Sequence, residues 1–301
     1  MPPDPSVVLV EGPWQHREVS ANGCRFHVAE CGEGPLVLFL HGFPAFWWSF
    51  RHQLPAVAEI GMRAVAVDLR GYGASDKPPR GYDLVTLTAD IAGLVRALGE
   101  RDAVLVGHDW GGALAWSVAS LRPDVVRRLA VLSNPHPRLF RRAALTELLG
   151  QSAASSHMMM FQLPWYPERL LKRDHASYIG HLLSRWGGPG YPDEETERRN
   201  RDAFLIPGVA HSALEYYRWA VRSLPRPDGV RYARSLRRRI PAPTLQIHGA
   251  LDRCVLPRSA QGSGSYVRGR YDWHLLDGVG HYPHEEAPEQ VTALLRGWLE
   301  S

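Results

Sequence analysis

Residues 107–112 read GHDWGG. A short apolar run, AVLVG, leads into them from Ala103, and a helix-like stretch, ALAWSVASL, follows from Ala113. A strand, a tight glycine-rich turn and a helix form the setting in which G-x-S-x-G presents a nucleophile. Here the serine position holds Asp109. A carboxyl group with an ordinary pKa of about 3.9 is already ionised at neutral pH, so it needs no base for its own attack. Attack on a saturated electrophilic carbon makes an alkyl ester whose carbonyl belongs to the enzyme. Activated water can cleave that ester, releasing an alcohol and restoring the carboxylate. A serine attacking the same carbon would form an ether, which has no such exit. The residue type therefore points to alkylating substrates, epoxides or organic halides.

Two further residues could serve this chemistry. Asp252 lies just past a strand-like run, in HGALDRC, and His281 follows another, in DGVGHYPHEE. Asp109, Asp252 and His281 stand in the chain order nucleophile, acid, histidine, each at a predicted strand end. His281 would activate the water, and Asp252 would orient the imidazole and stabilise its charged form. His284 is the neighbouring competitor, but it follows Pro283, further from the strand end. An acid could instead follow the earlier strand, at Ser133-Asn134 in LSNPHP, but neither residue ionises usefully. Ester hydrolysis passes through an oxyanion. Its expected donors are the backbone N–H groups of Trp110 and of Phe43 in HGFP, with Gly42 and Gly111 giving the backbone room.

Positioning these residues requires strands, and the chain supplies them. PLVLFL (residues 35–40), AVAVDL (64–69), AVLVG, RRLAVLSN (127–134), PAPTLQIHG (241–249) and YDWHLLDG (271–278) read as strands. A hairpin is expected around Ala21-Asn22-Gly23. Helical spacing fills residues 84–98 and 288–299. The alternation predicts an α/β fold with a mostly parallel central sheet flanked by helices, built from residues 1–137 and 241–301. Residues 138–240 carry helical patterns and Gly/Pro breaks without a buried strand, and read as an inserted all-helical cap. That insertion holds 18 Lys/Arg against 10 Asp/Glu, read as solvated helix faces.

Composition narrows the classes. The chain has 301 residues, 45% apolar and 22% charged, as a globular protein does. A net charge of +4 gives no case for nucleic acid. Three cysteines without C-x-x-C spacing fit neither a disulfide framework nor a zinc site. Neither a leader-like start nor a long apolar span is apparent, so a cytoplasmic protein without a membrane partner is expected. No cofactor or metal is implied.

In their order along nearly the whole chain, HGFP, DLRGYGASDKP, GHDWGG, the Asp252 loop and DGVGHYPHEEAPEQV resemble the epoxide hydrolase branch of the α/β-hydrolase fold. The resemblance implies two lid residues that hold and protonate the epoxide oxygen. One maps to Tyr217 in ALEYYRWA, with Tyr216 as fallback. The other maps to His157, four positions before FQLPWYPE, where the family usually has tyrosine. Fluoroacetate dehalogenases also place histidine there, but clamp their substrate with arginines beside the nucleophile, where this chain has Trp110 and Ala113. Haloalkane dehalogenases often put Asn where Phe43 stands. Haloalkane or haloacid dehalogenation stays the first alternative, and a non-catalytic binding protein the second. The aromatics of FPAFWW and FQLPWY are expected to line an apolar pocket, and Met158, Met159 and Met160 the pocket or core.

Overall fold

The computed structural model describes residues 3–301. Eight strands form one sheet: β1 (Gln15–Ala21), β2 (Cys24–Cys31), β3 (Leu36–Leu40), β4 (Arg63–Val67), β5 (Ala103–His108), β6 (Val126–Leu132), β7 (Thr244–Gly249) and β8 (Tyr271–Leu276). Their spatial order is β1-β2-β4-β3-β5-β6-β7-β8. β1 and β2 pair antiparallel, as β2 does with β4, and every later pair is parallel. The β1–β2 hairpin closes at Asn22 (φ 46°) and Gly23 (φ 75°), the two consecutive positive φ values that match the twist of a two-residue hairpin turn. β3, β5 and β7 are buried at every position, which is why β3 and most of β5 read as continuous apolar runs, while β7 buries Thr244, Gln246 and His248 as well.

The chain leaves β3 for β4 on one side and returns to β5 on the other. The order therefore reverses between β3 and β5, and a crevice opens at their carboxyl ends. On the core, α1 (Leu84–Ala97) takes its N-cap from Asp83, whose side chain accepts from the Thr86 N–H. α2 (Trp110–Leu121) starts directly after the GHD turn and is buried along most of its length between the sheet and its neighbours. Between β6 and β7 the described chain holds helices only. These are α3 (Pro137–Thr146), two single turns over 151–154 and 157–160, α4 (Tyr166–Trp186, broken at residues 173–176), α5 (Glu194–Leu205), α6 (Val209–Arg222) and α7 (Pro227–Ser235). α8 (Pro288–Glu300) closes the fold, with Pro288 in its first turn where a missing N–H costs nothing. No helix among the described residues is long and apolar enough to cross a membrane.

Candidate active site

The GHD turn carries backbone strain. Asp109 sits at φ 47°, ψ −115°, a conformation that L-residues avoid, and its carboxylate is thereby lifted above the end of β5. The turn closes only because its neighbours lack side chains. A Cβ on Gly42 would overlap the Asp109 side chain, and one on Gly111 would overlap the carbonyl of Leu40. HGFP and GHDWGG are thus two halves of one tight contact. Across it the Phe43 N–H donates to Asp109 Oδ2 at 3.0 Å. Trp110 opens α2, so its own N–H has no acceptor within the helix.

Asp252 and His281 come from the loops after β7 and β8, which pair as parallel neighbours. His281 Nδ1 lies 2.8 Å from Asp252 Oδ2. Its Nε2 faces Asp109 Oδ1 at 3.7 Å, too far for a hydrogen bond, and has no partner among the described residues. Asp252 Oδ1 accepts the N–H groups of Cys254 and Val255 at 2.8 and 2.9 Å. The structure therefore brings Asp109, Asp252 and His281 together, all of them buried.

Burial alone would raise both carboxyl groups. For Asp252 the charge of His281, with hydrogen bonds from His248 and His281, outweighs it and holds the carboxyl well below its usual range. Asp109 is also lowered, because His281, His108 and the Phe43 N–H together outweigh desolvation. Burial pushes His281 down, but the Asp252 carboxylate, with Asp109 adding to it, holds the imidazole well above its usual value. Both carboxylates therefore favour the charged form of the imidazole between them.

Tyr217, on α6, hangs over this group. Its ring centroid lies 5.4 Å from Phe43 and 5.0 Å from Trp110, both edge-on. His157 is 5.7 Å from Tyr217 and 5.0 Å from Trp186. The structure thus brings Tyr217 and His157 together on the rings that flank the Asp109 elbow. Burial lowers the His157 imidazole to about 4, despite the opposing Asp109 charge, so it is neutral at pH 7. Burial, then the Asp109 charge, raises the Tyr217 phenol well above its usual value, which keeps it protonated. Tyr216 is committed elsewhere, donating its hydroxyl to the Arg70 carbonyl at 2.7 Å. His284 is fully buried, stacked 4.6 Å from Phe50 and 4.5 Å from His108, and neither nitrogen has a partner among the described residues.

The apolar lining differs from the expected one. Trp165, in FQLPWY, is 63% exposed. Trp47 points away, its indole N–H donating to Val8, and Trp48 stacks on Phe46 under Arg51. Of those two aromatic stretches, Phe43 and Phe161 are the ones whose rings meet Tyr217. Trp186 and Phe204, from α4 and α5, pack on Phe43 instead. Aromatic content marked the right loops, but which rings turn inward depends on helix rotation in the insertion. Met159 likewise faces solvent, at 63% exposure, while Met158 and Met160 pack on the core.

Sequence reasoning also missed the supports of His281. Its backbone N–H donates to Trp186, in the insertion, at 3.0 Å, and its carbonyl meets His108 Nε2 at 2.8 Å. The flanking Gly280 and Tyr282 N–H groups donate to Glu286 at 2.6 and 2.8 Å, and Gly188 N–H reaches the same carboxylate at 2.8 Å. One carboxylate thus fastens the histidine loop and the insertion together. The signal was the HEEAP run itself, which carries two acids where the fold needs only a helix start. Replacing Glu286 by Ala strands these three donors and is expected to destabilise the fold by about 3 kcal/mol. Urea denaturation measures this, and a change below about 1 kcal/mol would show the loop to be held by its other contacts.

A carboxylate raised on a strand-to-helix elbow, paired with a histidine and an acid at neighbouring strand ends, defines a hydrolase of the α/β-sheet class with a carboxylate nucleophile position. Residues 37–294 match the model of the Alpha/beta hydrolase family, and the chain belongs to that family. It is 32% identical to human (Homo sapiens) epoxide hydrolase 4 over 99% of this chain and 80% of that protein. It is 31% identical to epoxide hydrolase A of Mycobacterium tuberculosis, over 94% of this chain and 96% of the other. Among solved structures it is similar to an epoxide hydrolase from an endophytic Streptomyces, with a TM-score of 0.83, 31% identity and 96% of both chains covered. It is also similar to the Bacillus megaterium epoxide hydrolase in complex with an inhibitor, with a TM-score of 0.83, 29% identity, and 95% of this chain and 100% of that one covered.

Proposed function

We propose that this chain hydrolyses an apolar epoxide to a vicinal diol. The observation that carries the reading is the arrangement around Asp109: an ionised carboxylate with a phenol and a neutral imidazole above it and His281 beside it. Asp109 attacks a ring carbon and the C–O bond opens. The developing alkoxide takes a proton from Tyr217, while His157 hydrogen-bonds the same oxygen. Esterification removes the charge of Asp109, so His281 loses one of the two carboxylates that keep it protonated. It then gives up its proton to solvent, which returns one to the Tyr217 phenolate, and acts as base on a water in the gap before Asp109. Attack of that water puts an oxyanion on the former Asp109 oxygen, held by the N–H groups of Phe43 and Trp110. On collapse His281 passes the water's proton to the leaving oxygen, the diol departs, and the new carboxyl group gives its proton to His281, restoring Asp109. Residues 138–240 serve as the cap that supplies the proton donors and the aromatic wall. Free Cys24, Cys31 and Cys254 support the expected reducing, cytoplasmic setting.

The test is a panel of styrene-type and alkyl epoxides run beside haloalkanes and haloacids, with diol and halide assayed separately. Diol from the epoxides is expected. Halide without diol would assign dehalogenation, and product from neither panel would leave a binding protein. Within this reading, Tyr217→Phe should slow adduct formation by about a hundredfold while adduct breakdown is unchanged. Single-turnover kinetics separate the two, and a loss below about tenfold would shift the proton to His157.

A further inference from the structure

The insertion carries two surface features. The first is apolar. Of the 13 large hydrophobic side chains exposed among the described residues, seven lie within residues 145–166. Leu149 is 99% exposed, Leu148 78%, and Trp165 and Met159 63% each. Leu145, Leu148 and Leu149 cluster within five residues, and Leu163, Trp165 and Tyr166 within four, which is denser than the single apolar residues scattered on an ordinary soluble surface. The second is charge. Residues 138–240 carry a surplus of eight cations, whereas the whole chain has four, so the remainder is net acidic by four.

The two features adjoin. α3 presents Arg142 one turn before Leu145, and the exposed Leu148 and Leu149 follow directly. Arg138, in the first turn of α3, donates to the Ala233 carbonyl of α7 at 3.2 Å, which ties α7 to the start of α3. That neighbour carries Arg231, Arg234 and the Arg237-Arg238-Arg239 run, all exposed. None of these five, nor Arg142, has a carboxylate within ion-pair distance among the described residues. The acids nearby are already occupied, Glu147 by Arg258 and Asp228 by Arg226. Leucines at a loop tip, bordered by unpaired arginines, match the two requirements of a peripheral lipid site, apolar insertion and attraction to anionic headgroups.

We propose that this face docks on an anionic lipid bilayer. The α3–α4 stretch that presents the leucines also carries His157 and Phe161 to Tyr217. Docking would hold the lid of the site at the surface where apolar compounds concentrate. Vesicle binding itself does not depend on the epoxide reading. It revises the expectation of no membrane partner, since a surface helix and loop need no spanning segment.

The full chain is to be sedimented with vesicles of phosphatidylcholine alone and of phosphatidylcholine mixed with phosphatidylglycerol. Binding to the mixed vesicles and release by salt are expected. R238E/R239E should weaken it by about fivefold or more per charge. L148S/L149S should weaken it at unchanged melting temperature, and L251S, exposed on the other part of the chain, should not. Absence of binding, equal binding to both vesicle types, or binding indifferent to these variants would overturn the proposal. So would concentration-dependent dimers, lost in L148S/L149S, without vesicle binding, because a second copy would then cover the face.

Discussion

Asp109→Ala should reduce turnover by about four orders of magnitude or more and leave no covalent adduct on the protein. The expectation follows from the site's division of labour. In the proposed reaction every other group around Asp109 acts on a bond that Asp109 must first make. Tyr217 and His157 serve an oxygen that develops charge only as the carboxylate attacks. His281 serves a water that needs an ester to attack. Removing the side chain also relieves no strain, since the φ of 47° belongs to the elbow and not to the carboxylate. Intact-protein mass spectrometry after incubation with a reactive epoxide reads the result. An adduct persisting on Asp109→Ala, mapped to another triad residue, would show that the nucleophile is elsewhere.

Asp252→Asn should trap the ester. Hydrolysis of the adduct is expected to fall by about 10³–10⁴ while its formation changes by less than about tenfold. The geometry gives the reason. Asp252 Oδ1 is fixed by the N–H groups of Cys254 and Val255, so an asparagine would keep its oxygen there and turn its amide N–H₂ toward His281 Nδ1. Nδ1 would then have to accept, leaving the proton on Nε2, the nitrogen that must act as base. Adduct formation draws on the charge of Asp109 and the proton of Tyr217, both of which the change leaves in place. Rapid quench followed by mass spectrometry resolves the two rates, and equal loss in both would contradict this assignment.

A pH dependence follows from the same pair. Hydrolysis requires neutral His281, and the carboxylates of Asp252 and Asp109 raise the free enzyme's imidazole well above its usual value against the downward pull of burial. Alkylation cancels the Asp109 part of that support. The hydrolysis rate should therefore rise with pH through the His281 pKa of the alkylated enzyme, which lies below that of the free enzyme.

Much of this site was legible in the sequence because its parts are short-range. Buried parallel strands write themselves as apolar runs, and the sharp turns after them need small residues at fixed offsets. So HGFP, GHDWGG, the Asp252 loop and the His281 loop could each be placed at a strand end, and their chain order paired them. The same locality made the residue type at the elbow readable, while the groups that keep a buried Asp109 ionised, His281 and the Phe43 N–H among them, come from distant segments.

What the sequence could not decide lies in contacts between distant segments. Glu286 looked like one more acid in a helix start until Gly188, nearly a hundred residues earlier, came to its carboxylate. Trp186 supplies the acceptor that fixes the His281 backbone from within an insertion whose helices pack by rotation and crossing angle, quantities no local pattern encodes. The same packing turned Phe161 inward and Trp165 outward within five residues. By itself the sequence determined the fold class and the residue type at the elbow. The tertiary structure alone decided which aromatic rings pack around Asp109, what holds His281 in place, and which side chains of the insertion stay exposed, because these rest on contacts between distant segments.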